Sequence, residues 1–138
     1  MKKLVYLISP NKIDNKFYTT LDRVLAFKNV KFFQLRLKNT KVNYILKIAN
    51  KIKKITKKHK VNFIINDNYI LALKVNADGC HLGQLDGPIM IARKKLKNKI
   101  LGVTCHGSKS LAKNAINNKA DYIAFGSFFK SRLKPNTK

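Results

Sequence analysis

Short apolar runs that alternate with segments of helical period extend along the whole chain, and no other feature restricts its fold as much. Residues 4–8 form an apolar run of strand length, and a weak helical pattern follows over residues 18–27. A second strand is predicted over residues 32–38. Asn39-Thr40 offers a cap for the next helix, in which Val42, Ile45, Leu46, Ala49, Ile52 and Ile55 recur at helical spacing with lysines on the opposite side. Four more apolar runs, 63–65, 79–83, 100–105 and 122–125, predict further strands, with helices over residues 69–75, 88–96 and 111–118 between them. Strands that alternate with helices at this pace imply a parallel sheet built from βα units. A faint repeat supports equivalent units. Ala77-Asp78 followed by Gly83 and Ala120-Asp121 followed by Gly126 share one spacing, 43 residues apart, which suits two βα staves of a barrel. An open flavodoxin-like sheet fits the alternation equally.

The 138 residues, 45% of them hydrophobic, suffice for one domain with a real core over residues 1–138. No run of about 18 apolar residues occurs, so no membrane span is expected. Met1-Lys2-Lys3 resembles the basic flank of a signal peptide, but the apolar run behind it is short and ends at Ser9-Pro10-Asn11 without a small-residue cleavage site. The expectation is a first strand in a cytoplasmic protein. Cys80 and Cys105 both lie in apolar runs, where cytosolic thiols are reduced and buried.

Thirty Lys and Arg against six acidic residues give a formal charge of +24, which invites a nucleic-acid reading. The lysines are spread over nearly every segment, and the densest run, residues 47–60, falls on the outer face of a helix. No RNP-like aromatic motif, zinc-finger spacing or glycine-rich arm accompanies them. A sequence-blind anion binder stays open as an alternative, while a specific nucleic-acid reader is disfavoured. In either case the charge attracts anionic small molecules.

Polar residues gather where the strands end, the face on which barrels and open α/β sheets build their sites. Gln34, Arg36 and Lys38 share one face of the second strand, opposite Phe33, Leu35 and Leu37. Unpaired cations are costly to bury, so that face must meet water or an anion. Asn66-Asp67 ends the third strand, Asp86 follows the fourth, Thr104 ends the fifth and residues 127–134 follow the sixth. Asp67 and Asp86 beside Arg36 and Lys38 suggest Mg²⁺ bridging the protein to a phosphorylated ligand. An Asx-turn at Asn66-Asp67 and a turn at Asp86-Gly87 are the alternative for each carboxylate taken alone. Cys80, His81, Cys105 and His106 could be imagined as a zinc site, but neighbours in a strand face opposite ways. Cys105 is a conceivable nucleophile beside His81 or His106, although a buried structural thiol is the better expectation. His59 is expected to be solvated.

Five ordered blocks, Gln34-Leu35-Arg36-Leu37-Lys38, Ile65-Asn66-Asp67, residues 79–86, Leu101-Gly102-Val103-Thr104-Cys105-His106 and residues 120–126, resemble the signature blocks of the thiamine phosphate synthases and their TenI-like relatives. The resemblance spans essentially the whole chain. It implies a TIM (β/α)8-type barrel and a cytoplasmic transferase of thiamine biosynthesis, which joins hydroxymethylpyrimidine diphosphate to a thiazole phosphate and releases diphosphate. It further implies that Gln34, Arg36, Lys38, Asn66 and Thr104 bind the pyrimidine diphosphate, and that Asp67 and Asp86 hold Mg²⁺. Arg36, Lys38 and Lys134 would stabilise the departing diphosphate. In the family's Thr-x-Thr-Lys loop this chain has Ser131-Arg132-Leu133-Lys134, so Ser131 keeps one phosphate-binding hydroxyl and Leu133 replaces the other. TenI-like thiazole tautomerases lack much of the diphosphate-binding set, so its retention favours a synthase over a tautomerase.

A closed (β/α)8 barrel needs about 200 residues or more. Only about six βα units are legible here, so the barrel is expected to be incomplete, without the strand-seven and strand-eight loops that hold the thiazole phosphate in the family. The expected explanations are a truncated, impaired or non-catalytic remnant, an incomplete sequence, or self-association through the exposed edges of strands one and six.

Overall fold

The structure, a computed structural model, describes residues 3–127. Six parallel strands, β1 (Val5–Ile8), β2 (Val30–Leu35), β3 (Asn62–Asn66), β4 (Gly79–Leu82), β5 (Ile100–His106) and β6 (Tyr122–Phe125), pair strictly in chain order. Between them lie α1 (Asn15–Leu25), α2 (Val42–Lys58), α3 (Tyr69–Lys74), α4 (Ile89–Leu96) and α5 (Lys109–Asn117). Chain order decides between the two sheets the sequence allowed. A doubly wound sheet reverses strand order at a switch point, whereas a barrel wall does not. The fold is an incomplete barrel of the TIM type.

Local signals account for most element ends. Asp14 caps α1, its carboxylate accepting the Phe17 N–H at 2.8 Å, so that helix starts at Asn15, three residues before the apolar pattern becomes visible. Asn68 caps α3 through the Leu71 N–H and Ser108 caps α5 through the Leu111 N–H. The cap expected at Asn39-Thr40 is absent. Lys41 holds the N-cap position of α2 without a side-chain bond. Asn39 instead takes a left-handed backbone (φ 55°) and the Thr40 hydroxyl donates back to the Lys38 carbonyl, making a turn ahead of the helix. The second strand is also shorter than expected. Its ladder ends at Leu35, because the Arg36 N–H donates to Ser9 Oγ (2.9 Å) and the Lys38 N–H to Asn11 Oδ1 (2.7 Å) rather than to a neighbouring strand.

Alternation along each strand sends one set of side chains to the helices. Phe33, Leu35, Phe63, Ile65, Cys80, Leu82, Leu101, Val103 and Cys105 join Leu21, Leu25, Ile48, Ile52, Ala72, Ala92, Leu96 and Ala115 in one core. Each large side chain buried in this layer contributes roughly 1.5–3 kcal/mol relative to exposure. In α2, Ala49 and Ile52 are buried as their spacing predicts, joined by Ile48 and Thr56, whereas Val42 lies exposed. Both cysteines are buried free thiols in this layer, and burial pushes the Cys80 thiol far up from its ordinary value.

The other set of side chains fills a concave interior. Tyr6 on β1 and Tyr122 on β6 meet there, their hydroxyls 2.6 Å apart, although four strands separate them in the sheet. The sheet is curled far enough for its outermost described strands to touch through their side chains. Tyr6 stacks on Phe32 with ring centroids 5.3 Å apart, and Tyr122 leans over Gly102. A Cβ on Gly102 would lie 2.0 Å from the Tyr122 ring, so this close approach requires glycine.

The Ala-Asp repeat has a structural meaning at the opposite end of the sheet. Asp78 precedes β4 and accepts the Phe63 N–H of β3 at 2.7 Å, while its own N–H donates to the Phe63 carbonyl. Asp121 precedes β6 and repeats the pattern on Leu101 of β5, with distances of 2.7 and 2.8 Å, and also pairs with Arg93. Each aspartate latches one strand to its predecessor where the ladder begins. Asp78→Ala is expected to destabilise the fold by about 1–3 kcal/mol, the cost of leaving a backbone donor at a strand start without its charged acceptor, measured as a fall in the urea midpoint at unchanged m.

Candidate functional site

At the carboxyl ends of the strands the curled sheet opens into a cavity of about 640 Å³. Its wall holds Gln34, Arg36, Lys38, Asn66, Asp67, Asp86 and Thr104, so every predicted site residue within the described chain faces one space. Ser131, Leu133 and Lys134 lie outside the described residues.

The sequence signals explain how each side is held. Arg36 and Lys38 continue the direction of β2 beyond its last ladder bond, and Ser9 and Asn11 clamp their backbone. Ser9-Pro10-Asn11 looked like a strand terminator alone, yet two of its polar side chains place the cations. Lys38 Nζ is in ion-pair contact with Asp67 Oδ2. Asp67 has a left-handed backbone (φ 64°), uncommon outside glycine but tolerated by Asp, and its N–H donates to the His81 carbonyl at 2.7 Å. That geometry lifts the carboxylate off the end of β3 into the cavity. Asp86 folds back so that its Oδ2 accepts the Gly83 N–H at 2.7 Å, a local turn that also aims the carboxyl at Asp67.

Asp67 and Asp86 form a like-charged pair. Burial first, and then the adjoining Asp67 carboxyl, hold Asp86 above the ordinary carboxylate range, with the Gly83 N–H and Lys38 pulling it back. Two opposed carboxyls, one of them reluctant to ionise, are a donor set that suits a hard cation with oxygen ligands. Among the described residues no group of three or more His, Cys, Asp or Glu could hold a metal. Two carboxylates agree with Mg²⁺, which takes one or two from protein and completes its octahedron with water and substrate phosphate.

Beneath the cations runs a polar floor that the motifs did not reveal. Gln34 is only 3% exposed and its Nε2 donates to Tyr6 Oη at 2.9 Å. Tyr122 Oη lies 2.9 Å from His81 Nδ1, and His81 Nε2 lies 2.7 Å from Thr104 Oγ1. Gln84 Nε2 donates to the Thr104 carbonyl at 2.5 Å. Burial raises the tyrosine hydroxyls above their ordinary value, Tyr122 well above it, so both stay protonated. The signal that could have found this floor is alternation: Tyr6, His81 and Tyr122 sit on the same inward set as Gln34 and Thr104.

Two other expectations resolve by facing. Cys80 and Cys105 point to the helices while His81 points inward, so neither a zinc site nor a Cys105–His81 pair forms; Cys105 Sγ instead approaches the Val103 carbonyl. His59 is not simply solvated, for its Nε2 lies 2.7 Å from Asp22 Oδ1, and Lys58 joins the same carboxylate. Together Lys58 and His59 hold Asp22 below the ordinary carboxylate range. No helix among the described residues is long and apolar enough to cross a membrane.

Comparison with known proteins agrees with this geometry. A family model described as thiamine monophosphate synthase matches residues 5–138. The thiamine-phosphate synthase of Pelagibacter ubique is 61% identical over 135 residues, which cover 96% of this chain and 65% of that protein. That of Erythrobacter litoralis is 41% identical, covering 94% of this chain and 62% of that protein. The solved thiamine phosphate pyrophosphorylase of Pyrococcus furiosus superposes with a TM-score of 0.80 at 29% identity, covering 93% of this chain and 61% of that one. The chain therefore spans just under two thirds of the length of these relatives.

The raised Asp86 carboxyl gives a pH signature. Its folded pKa lies above its unfolded one, so its contribution to stability is fully present below pH 4 and is lost as pH rises through the raised value. Asp86→Asn is expected to flatten that decline in urea-unfolding free energy as pH rises above the ordinary carboxylate value in metal-free buffer. An unchanged pH profile would show that the Asp86 carboxyl is not raised.

Proposed function

The chain belongs to the thiamine monophosphate synthase family, and from that premise we propose that its cavity binds hydroxymethylpyrimidine diphosphate and transfers the pyrimidinylmethyl group to a thiazole phosphate, giving thiamine phosphate and diphosphate. The observation that carries the reading is the meeting of Gln34, Arg36, Lys38, Asn66, Asp67, Asp86 and Thr104 around one cavity. Two cations, two amides, a hydroxyl and a carboxylate pair around one space suit a diphosphate ester and its metal.

In this reading Gln34 and Asn66 orient the pyrimidine end, and Arg36 offers its planar fork to the diphosphate. Lys38, with a side chain 45% exposed, can turn its ammonium from Asp67 to a diphosphate oxygen. Asp67 and Asp86 would hold Mg²⁺, which when bound supplies charge neutralisation for the leaving diphosphate. The reaction is a dissociative substitution: the C–O bond to diphosphate breaks, and the thiazole nitrogen's lone pair forms the new C–N bond to the pyrimidine methylene. No general base or covalent nucleophile is needed, which fits walls made of cations, amides and carboxylates. Catalysis then comes from positioning and charge stabilisation. Lys134 is proposed as a further diphosphate partner and Ser131 as a phosphate-binding hydroxyl, on the motif alone; Leu133 in place of the family's second threonine predicts weak hold on the thiazole phosphate.

Titration calorimetry of the 138-residue chain with hydroxymethylpyrimidine diphosphate is expected to show binding that requires Mg²⁺. Arg36→Ala and Asp67→Asn are each expected to weaken it by at least about ten-fold, the cost of removing one charged partner from a paired site. A folded wild-type sample that gives no heat, or gives equal heat with chelator present, would overturn the proposal. Steeply salt-dependent uptake of RNA or DNA of any sequence in place of the diphosphate would point to the anion-binding alternative.

A further inference from the structure

The hydrogen bonds under the cavity form one continuous chain, Gln34 to Tyr6 to Tyr122 to His81 to Thr104, and its first member fixes the direction of all the rest. Gln34 Nε2 can only donate, so Tyr6 Oη accepts. The buried Tyr6 hydroxyl then has Tyr122 Oη, 2.6 Å away, as the acceptor for its own proton; the reverse polarity would leave the Tyr6 proton unpaired inside the sheet. Tyr122, having accepted, turns its proton to His81 Nδ1 at 2.9 Å. A nitrogen that accepts cannot carry a ring proton, so the His81 proton sits on Nε2, which donates to Thr104 Oγ1 at 2.7 Å.

We propose that this chain of inner hydroxyls turns the Thr104 hydroxyl proton to the cavity, with Tyr122 and His81 as positioning residues that favour anionic oxygen at that point. With one lone pair engaged by His81, the Thr104 hydroxyl keeps its proton to give, and Thr104 lines the same cavity as the cations. A ligand oxyanion takes that proton directly, whereas a ligand donor has only the hydroxyl's one remaining lone pair to meet. Gly102 is part of the device, because it lies beside both His81 and Tyr122 in the ladder and its missing side chain lets the Tyr122 ring reach across to the imidazole. The inference rests on the proposed function for the identity of the oxyanion, a diphosphate oxygen, but the polarity of the chain is a property of the protein alone.

Two measurements test it. In ¹⁵N-labelled wild-type chain, long-range ¹H–¹⁵N spectra at neutral pH are expected to show His81 as the Nε2–H tautomer. Calorimetry with inorganic diphosphate and Mg²⁺ is expected to show Tyr122→Phe, which can no longer donate to Nδ1, binding about three- to ten-fold more weakly, as befits one lost neutral hydrogen bond acting through its neighbour. In a Thr104→Val background the same change is expected to cost less than about two-fold, since the group it positions is gone. Tyr6→Phe, which spares the Tyr122 donor, is expected to cost less than Tyr122→Phe. An Nδ1–H tautomer in the wild type, or an equal loss from Tyr122→Phe with and without Thr104, overturns the inference while leaving the proposed function standing. Wild-type chain that binds no diphosphate with Mg²⁺ overturns both. Where Tyr122→Phe fails to fold, the wild-type tautomer decides.

Discussion

Parallel strands paired in chain order can cover only one face with their crossover helices, and every other property of this molecule follows from how the second face is filled. The helix-side layer is apolar and closely packed. Among the described residues no helix covers the inner layer, so its own side chains meet across the curl, and Tyr6 and Tyr122 do so through hydroxyls 2.6 Å apart. Buried hydroxyls need partners, and Gln34, His81 and Thr104 supply them. The floor of the cavity is therefore polar because the sheet curls.

Charge is distributed with the same logic. Against thirty cations the chain carries six carboxylates, all aspartates, and each has a definite place. Asp14 caps α1, Asp22 gathers Lys58 and His59, and Asp78 and Asp121 latch β3 to β4 and β5 to β6. The remaining two, Asp67 and Asp86, share the mouth of the cavity, where burial and the adjoining Asp67 carboxyl hold Asp86 above the ordinary carboxylate range. Four of the six serve structure at the surface or at the strand starts. Asp86, the one whose ionisation is opposed, shares that cavity with Arg36 and Lys38, where a cation and an anionic ligand would relieve it.

The elements and the site were legible to different depths. Strand and helix positions followed from apolar period, and the errors fell where a side chain captured a backbone group. Asp14 began α1 earlier than its apolar face, and Ser9 and Asn11 took the Arg36 and Lys38 N–H groups away from the β2 ladder. The Ser9 and Asn11 captures join residues 27 positions apart, beyond the reach of any local pattern, whereas the Asp14 cap spans three. Within the site, Gln34, Arg36, Lys38, Asn66, Asp67, Asp86 and Thr104 stood out because polar residues at apolar strand ends are conspicuous. Tyr6 and Tyr122 did not, since each reads equally well as a core residue of its strand, and His81 stood out only for zinc or for Cys105, not for the floor it joins.

The sequence alone determined the βα alternation, the inward and outward sets of each strand, and the polar residues at the strand ends, because period and burial cost act between near neighbours. The tertiary structure alone decided that the strands pair in chain order, that the repeated aspartates are latches, and that Tyr6 touches Tyr122 across the curl. Those facts depend on the accumulated rotation of successive strands, which brings residues 116 positions apart into hydrogen-bond contact and has no signature within any single segment.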